Sequence, residues 1–213
     1  MSFNITIVSA ANNWNLDRVG FSSNSRYFII VESRTDKAGI ASARMEIVNT
    51  KTNECVRGGC QTISGSKGDL KNEEDILNKL YGKTWRLRAR LKLTPSRIGD
   101  RAKGPFFEED CNTAYYLYNN QKIHVQMQQD VISLSYYHKK ASLQIEVNIG
   151  DVTKILDSLE NYRDYTQKYR LNHLLISPNK KRFALLVMVF YGDGKKGKKW
   201  LENYTIVHTA TLY

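Results

Sequence analysis

Four cations stand two residues apart in TWRLRARLKLTP, residues 84–95, where Arg86, Arg88, Arg90 and Lys92 alternate with Trp85, Leu87, Ala89, Leu91 and Leu93. A period of two is the repeat of a β-strand, so the pattern predicts a strand with one apolar and one basic face. A continued helix fits strict alternation less well. Cations in a row can hold an anion. The plainer reading is a solvated outer face, or an edge strand whose charges discourage edge-to-edge pairing. A second basic cluster, Lys195, Lys196, Lys198 and Lys199, lies in GDGKKGKK, residues 192–199. Its two glycines and Lys198 have the spacing of a phosphate-binding loop, but Lys199 stands where a hydroxyl would hold Mg2+. Such a loop must also open a helix, and Asn203–Leu212 reads as a strand. The segment is read as a long basic hairpin tip, which can add its lysines to the same anion-binding face.

The three cysteines are Cys55, Cys60 and Cys111. In CVRGGC the separation is too long for a redox C-x-x-C, and no Cys or His stands nearby at zinc-finger spacing. In an oxidising compartment Cys55 and Cys60 can close a small hairpin disulfide, or one of them can reach Cys111. Ordinary thiols are the alternative, and the odd count leaves one thiol free in a monomer. His124, His138, His173 and His208 show no metal-ligand spacing. Glu108, Glu109 and Asp110 are adjacent on a loop, which does not make an acid/base pair. The sequence contains no G-x-S-x-G, no H-E-x-x-H and no kinase signature. No catalytic, cofactor-binding or metal-binding residue is assigned, and no cofactor is expected. The many tyrosines of the middle third, Tyr115 to Tyr169, can stack bases or sugars, but Tyr is also a good residue for a sheet surface.

The elements that would position these residues are mostly strands. Residues 20–57 predict a hairpin: turn SSNS, strand RYFIIVES, loop RTDKAGIAS, strand ARMEIVNT and turn NTKTN. Residues 61–71 read as loop. Asn72 can cap a helix over 73–81, with Glu73, Glu74 and Asp75 in its first turn and Gly82 as a stop. Residues 95–112 read as an irregular connector. TAYYLY, KIHVQMQQ, VISLSYY and SLQIEVNI predict a four-stranded antiparallel meander broken at NNQ, Asp130 and HKKA. Val152, Ile155, Leu156 and Leu159 predict a second helix over 151–162. The end reads as strand YRLNHLLI, turn SPNKK, strand RFALLVMVFY, the basic loop, and strand ENYTIVHTATL. Phe28, Ile30, Ile47, Val125, Ile145, Leu185, Val187 and Val189 are expected in the core. The fold class is mainly β (α+β): antiparallel sheets with two short helices, and turn-strand-loop-strand units near both termini.

At 213 residues with 41% hydrophobic content the chain suits a single β-rich domain over 1–213. No run reaches the roughly 18 apolar residues of a membrane span. Lys and Arg number 32 against 21 Asp and Glu, a net charge of +11. That balance points to an anionic partner, or to the Lys-, Asn- and Ile-rich composition of an AT-rich genome.

Three stretches together resemble one family: LDRVGFSSNSRYFIIVES, ARMEIVNTKTNECVRGG, and residues 169–212, which carry the SPNKKRFALLVMVFYGDG run. The family is domain of unknown function 2259, predicted secreted bacterial proteins found in spirochaetes among others. The likeness covers both ends, with a loose match between them. Asn24-Ser25 and Asn179-Lys180 replace the family's usual Asp-Gly turns, and TDKAGIASA lacks its Gly-Phe-Pro-Tyr element. The resemblance implies export and a β-rich fold, and no activity. The expected function is therefore an exported, periplasmic or envelope, non-enzymatic binding or structural protein. Its partner would be an anionic envelope component or another protein. A cytoplasmic nucleic-acid-binding module is the alternative, and an unrecognised hydrolase the third reading. MSFNITIVSA can be a first strand, with Phe3, Ile5 and Ile7 alternating. It can also be the tail of a longer export signal, since Val8 and Ala10 precede Ala11 as signal peptidase requires. The second reading places the mature start at Ala11 or Asn12.

Overall fold

The computed structural model describes residues 13–66, 72–108, 112–135, 138–192 and 202–212. The readings of residues 1–10, of Cys111 and of Lys195, Lys196, Lys198 and Lys199 lie outside the described residues. The fold is mainly β, with antiparallel sheets and, among the described residues, one helix.

Two turns of identical chemistry join the strands of two hairpins. In the first, Ser22 Oγ donates to Asn24 Oδ1 (2.7 Å), Arg26 N donates to the same oxygen (3.1 Å), and Tyr27 N donates to Ser22 Oγ (3.0 Å). In the second, Ser177 Oγ donates to Asn179 Oδ1 (2.7 Å), Lys181 N donates to that oxygen (3.1 Å), and Arg182 N donates to Ser177 Oγ (3.0 Å). Each short side chain satisfies backbone donors that the reversing chain would leave open. Ser25 (φ 56°) and Lys180 (φ 58°) take the left-handed conformation at equivalent places.

The first turn joins β1 (Asn15–Phe21) to β2 (Tyr27–Thr35), which pairs with β3 (Ala41–Asn49) and then β4 (Gln61–Ser64), giving sheet A in the order β1-β2-β3-β4. The second joins β12 (Thr166–Ile176) to β13 (Arg182–Tyr191), which pairs with β14 (Glu202–Thr211); with β5 (Asp100–Arg101) these form sheet B, ordered β14-β13-β12-β5. The connector 97–101 ties the two turns together. Arg97 bridges Phe21, and Asp100 pairs with Ile176. Between them Gly99 (φ 78°) passes so close to the Ile176 carbonyl that a Cβ would lie 2.1 Å from its oxygen, so no larger residue fits. Sheet C holds β6 (Lys103–Phe107), β7 (Thr113–Tyr118), β8 (Gln121–Ser133), β9 (Lys139–Ile149) and β10 (Val152–Leu156), with β11 (Arg163–Asp164) beside β9.

Alternation sets the stacking. Phe28 and Ile30 of β2 pack with Ala184 and Leu186 of β13, joining sheets A and B. Phe183, Leu185, Val187 and Val189, the other face of β13, pack with Val125, Leu143, Ile145 and Val147 of sheet C. Ile29, Val31, Met45 and Ile47 on the far face of sheet A receive α1 (Glu73–Arg90) through Ile76 and Leu80. The layers therefore run α1, A, B, C. All eight residues expected in the core are buried.

Three sequence expectations are corrected. The predicted strand over 84–95 is the second half of α1, which runs through to Arg90. The predicted helix over 151–162 is β10 followed by a turn. Gly150 (φ 56°) and Asp151 make a two-residue hairpin that sets Val152 opposite Ile149, and strand pairing decides what helical spacing suggested. The meander break at Asp130 does not exist: Asp130 pairs with Ser142 inside a continuous β8. The segments read as loop and connector also contain β4, β5 and β6. No helix among the described residues is long and apolar enough to cross a membrane.

Candidate anion-binding face

Helix α1 is capped by Asn72, whose Oδ1 accepts from Asp75 N at 2.8 Å, and its first turn carries Glu73, Glu74 and Asp75. It buries Ile76, Leu80, Thr84 and Arg88, one residue every four, against sheet A. The two polar members are satisfied within the helix. Thr84 Oγ1 donates to the Leu80 carbonyl (2.8 Å), and Arg88 donates to Thr84 Oγ1 (3.2 Å) and to the Tyr81 carbonyl (2.9 Å). The Arg88 guanidinium also lies over the Tyr81 ring, 4.7 Å from its centre.

The helix turns by about 100° per residue, so it separates what a strand would have aligned. Arg88 is buried, Arg86 and Arg90 are exposed, and Lys92 lies beyond the Leu91 cap in a left-handed conformation (φ 59°). The expected row Arg86, Arg88, Arg90, Lys92 does not form one face. Another does: Lys79, Lys83, Arg86 and Arg90 follow one another at steps of four, three and four residues, all exposed. They make a basic stripe about 16 Å long at 1.5 Å per residue. No side chain of the four forms an ion pair or hydrogen bond with another described residue. Like charges at these spacings repel by a few tenths of a kcal/mol per pair. The helix dipole favours Arg90 in the last turn but gives no support to Lys79 and Lys83. An anion laid along the stripe relieves the repulsion. Lys79 and Lys83 escaped the sequence reading because a boundary drawn at Gly82 divided the helix; continuing the helical count past Gly82 would have found them.

Other polar clusters have structural work. Glu32 is 1% exposed and accepts from Thr205 N (3.0 Å) and Arg44 Nε (2.7 Å); Arg44 in turn donates to the Thr205 carbonyl. Trp14 N donates to the Asn203 carbonyl (3.1 Å), and Thr209 N donates to Asn53 Oδ1 (2.8 Å). Residues of sheet A thus take up the open ladder edge of β14, in place of a further strand. Arg44 also reaches Glu46 (3.5 Å) and lies over the Tyr204 ring (4.4 Å). Burial pushes the Glu46 carboxyl above its usual range. Asp157, with φ 64°, is held by Arg163 (2.5 Å) and Asn161 (3.0 Å). Burial would raise the Asp157 carboxyl, but those bonds outweigh it and hold it below its usual range. His208 lies 3.7 Å from Asp157, 3% exposed, with neither ring nitrogen hydrogen-bonded. Burial pushes it down to about 4, against the pull of the Asp157 carboxylate.

Cys55 and Cys60 are joined in a disulfide that closes the loop between β3 and β4. His124 lies half-exposed on the outer face of sheet C, opposite Tyr115. An open groove of about 400 Å3 between β1 and α1 is lined by Asp17, Ser33, Glu73, Glu74 and Tyr81, of which Glu73 accepts from Ser33 Oγ (2.6 Å) and Thr35 Oγ1 (3.2 Å). Among the described residues no three His, Cys, Asp or Glu side chains gather as a metal site requires.

Fold and face together define a β-rich protein of three stacked sheets that carries a basic helix on its outer layer. No family model and no curated protein matches the chain.

Proposed function

We propose that the protein is an exported, non-enzymatic binding protein of the cell envelope, and that the Lys79, Lys83, Arg86 and Arg90 face of α1 holds an anionic envelope component. The stripe carries this reading. Four exposed cations in one line, unpaired among the described residues, cost the helix stability, and an anionic partner supplies the compensating charge. The Cys55–Cys60 disulfide supports an oxidising compartment, where such bonds persist. Glu46 and Asp157, two of the groups with displaced titration, are held by Arg44 and Arg163 in structural contacts.

Fractionation of native cells tests the reading. The protein is expected in the envelope fraction, released by salt, with Cys55 and Cys60 closed to alkylation until reduced. Release by nuclease instead, with both thiols open, contradicts export and favours a cytoplasmic nucleic-acid-binding module.

A further inference from the structure

The end of β8 is one of two long strand edges left unpaired among the described residues, and the one without a blunting device. Up to Met127, β8 has a neighbour on each side: β7 pairs as far as Gln126, and Met127 N donates to the Asn112 carbonyl. From Gln128 to Ser133 it pairs with β9 alone, and no described strand lies along its other side. Among the described residues these six leave about 20 Å of ladder edge open. Open edges are normally blunted. β12, paired with β5 only at Leu175 and Ile176, breaks register between Thr166 and Lys168 and between Leu171 and Leu174, and Gln129 accepts from Tyr169 N (2.8 Å) and donates to the Tyr169 carbonyl (3.3 Å). β1 breaks register between Leu16 and Arg18, and β6 does so between Lys103 and Phe106, around Pro105. β4 has four residues and β10 five, and the long edge of β14 is capped by Trp14, Glu32, Arg44 and Asn53. The Gln128–Ser133 edge has no bulge, no proline and no lysine. It also presents apolar surface: Val131 is 42% exposed, Ile132 40%, and Leu134 just beyond it 53%.

We infer that this edge pairs with the same edge of a second copy of the chain, antiparallel, so that β8 meets β8 across a twofold axis. Unsatisfied backbone groups beside exposed Val and Ile call for a strand; an apolar surface such as a lipid layer would leave those groups unpaired. An isologous pair needs a self-complementary run, and this one is. Centred on Val131, it sets Val131 against Val131 of the second copy, Asp130 against Ile132 and Gln129 against Ser133. No two carboxylates face one another, and the exposed Val131 side chains meet on the axis. Asp130 also accepts from Tyr162 OH within its own chain, which holds part of its charge away from the axis.

Sedimentation velocity over a concentration series tests the inference. The wild-type chain is expected to pass from monomer to dimer. Val131→Lys, which sets two like charges directly opposite one another on the twofold axis at a position 42% exposed, is expected to raise the dimer dissociation constant at least about tenfold while its thermal melt stays unchanged. In a Cys111→Ser background, Val131→Cys is expected to form a covalent dimer on mild oxidation, and Ile155→Cys, 62% exposed on β10, is expected not to. A chain that is monomeric at every concentration, a dimer that survives Val131→Lys, or equal cross-linking of the two cysteine variants overturns the inference. None of these outcomes depends on the α1 face.

Discussion

Glu32→Ala is expected to destabilise the fold by about 3–5 kcal/mol, because it removes one partner from a buried ion pair and strands the other. Arg44, whose side chain is 13% exposed, would lose its 2.7 Å carboxylate contact, and Thr205 N would lose its acceptor. The melting temperature should fall by roughly 10 °C for a chain of this size. Glu32→Gln separates the two losses: it can still accept from Thr205 N and should recover part of the stability. Combining Glu32→Gln with Arg44→Met removes both charges, and the double variant should be more stable than Arg44→Met alone, since the buried Glu32 carboxylate is no longer left unpaired. Thermal melts of the four variants check this. If Glu32→Ala melts with the wild type, the edge-cap role is wrong.

The second large effect is on acid stability. His208 is held neutral by burial, with its folded value pushed from an ordinary 6.5 down to about 4. The folded state therefore resists a proton that the unfolded chain accepts. The stability due to neutral His208 is fully present above pH 6.5 and is lost as pH falls toward about 4. The slope is about 1.4 kcal/mol per pH unit, and the loss reaches roughly 3 kcal/mol across that window. Asp157 acts lower, because its depressed carboxyl gives up its contribution only below the ordinary carboxylate range. Glu46 acts in the opposite sense, since a raised carboxyl favours the folded state as protons bind. The difference between wild type and His208→Phe isolates the histidine. Denaturant melts from pH 7 to pH 4 should show a steep decline in the wild type and a markedly shallower one in the variant. Parallel curves would contradict the assignment.

The strands of this fold were legible wherever alternation coincided with burial. RFALLVMVFY and TAYYLY are β13 and β7 to the residue, because their apolar positions face neighbouring layers and their boundaries fall at turns. The Ser-Asn turns were legible as a repeated device, and the structure gives them the same hydrogen bonds. Helix α1 was half legible. Its buried stripe passes through Thr84 and Arg88, polar residues that internal hydrogen bonds make tolerable, so the apolar signal fades where the alternation of Arg and Leu begins. That alternation arises because residues two apart on a helix lie on different sides, with Arg88 inward and Arg86 and Arg90 outward. β10 was misread because five residues carry Val152, Ile155 and Leu156 at a spacing that suits either period, and only pairing with β9 decides. The edge cap of β14 was illegible in principle. Glu32 and Arg44 are ordinary strand residues until sheet B is stacked on sheet A, some 160 residues apart in the chain.

The central claim is that α1 presents an anion-binding stripe. Binding of the purified, oxidised chain to phosphatidylglycerol vesicles and to an anionic wall polymer, at low and high salt, measures it most directly. The wild type is expected to bind at least one of them, with affinity falling steeply as salt rises. The variant Lys79→Gln, Lys83→Gln, Arg86→Gln, Arg90→Gln is expected to lose binding while melting at the same temperature or slightly higher, since helix repulsion is gone. Wild-type binding that the variant retains, or no binding to either anion at low salt, would contradict the account.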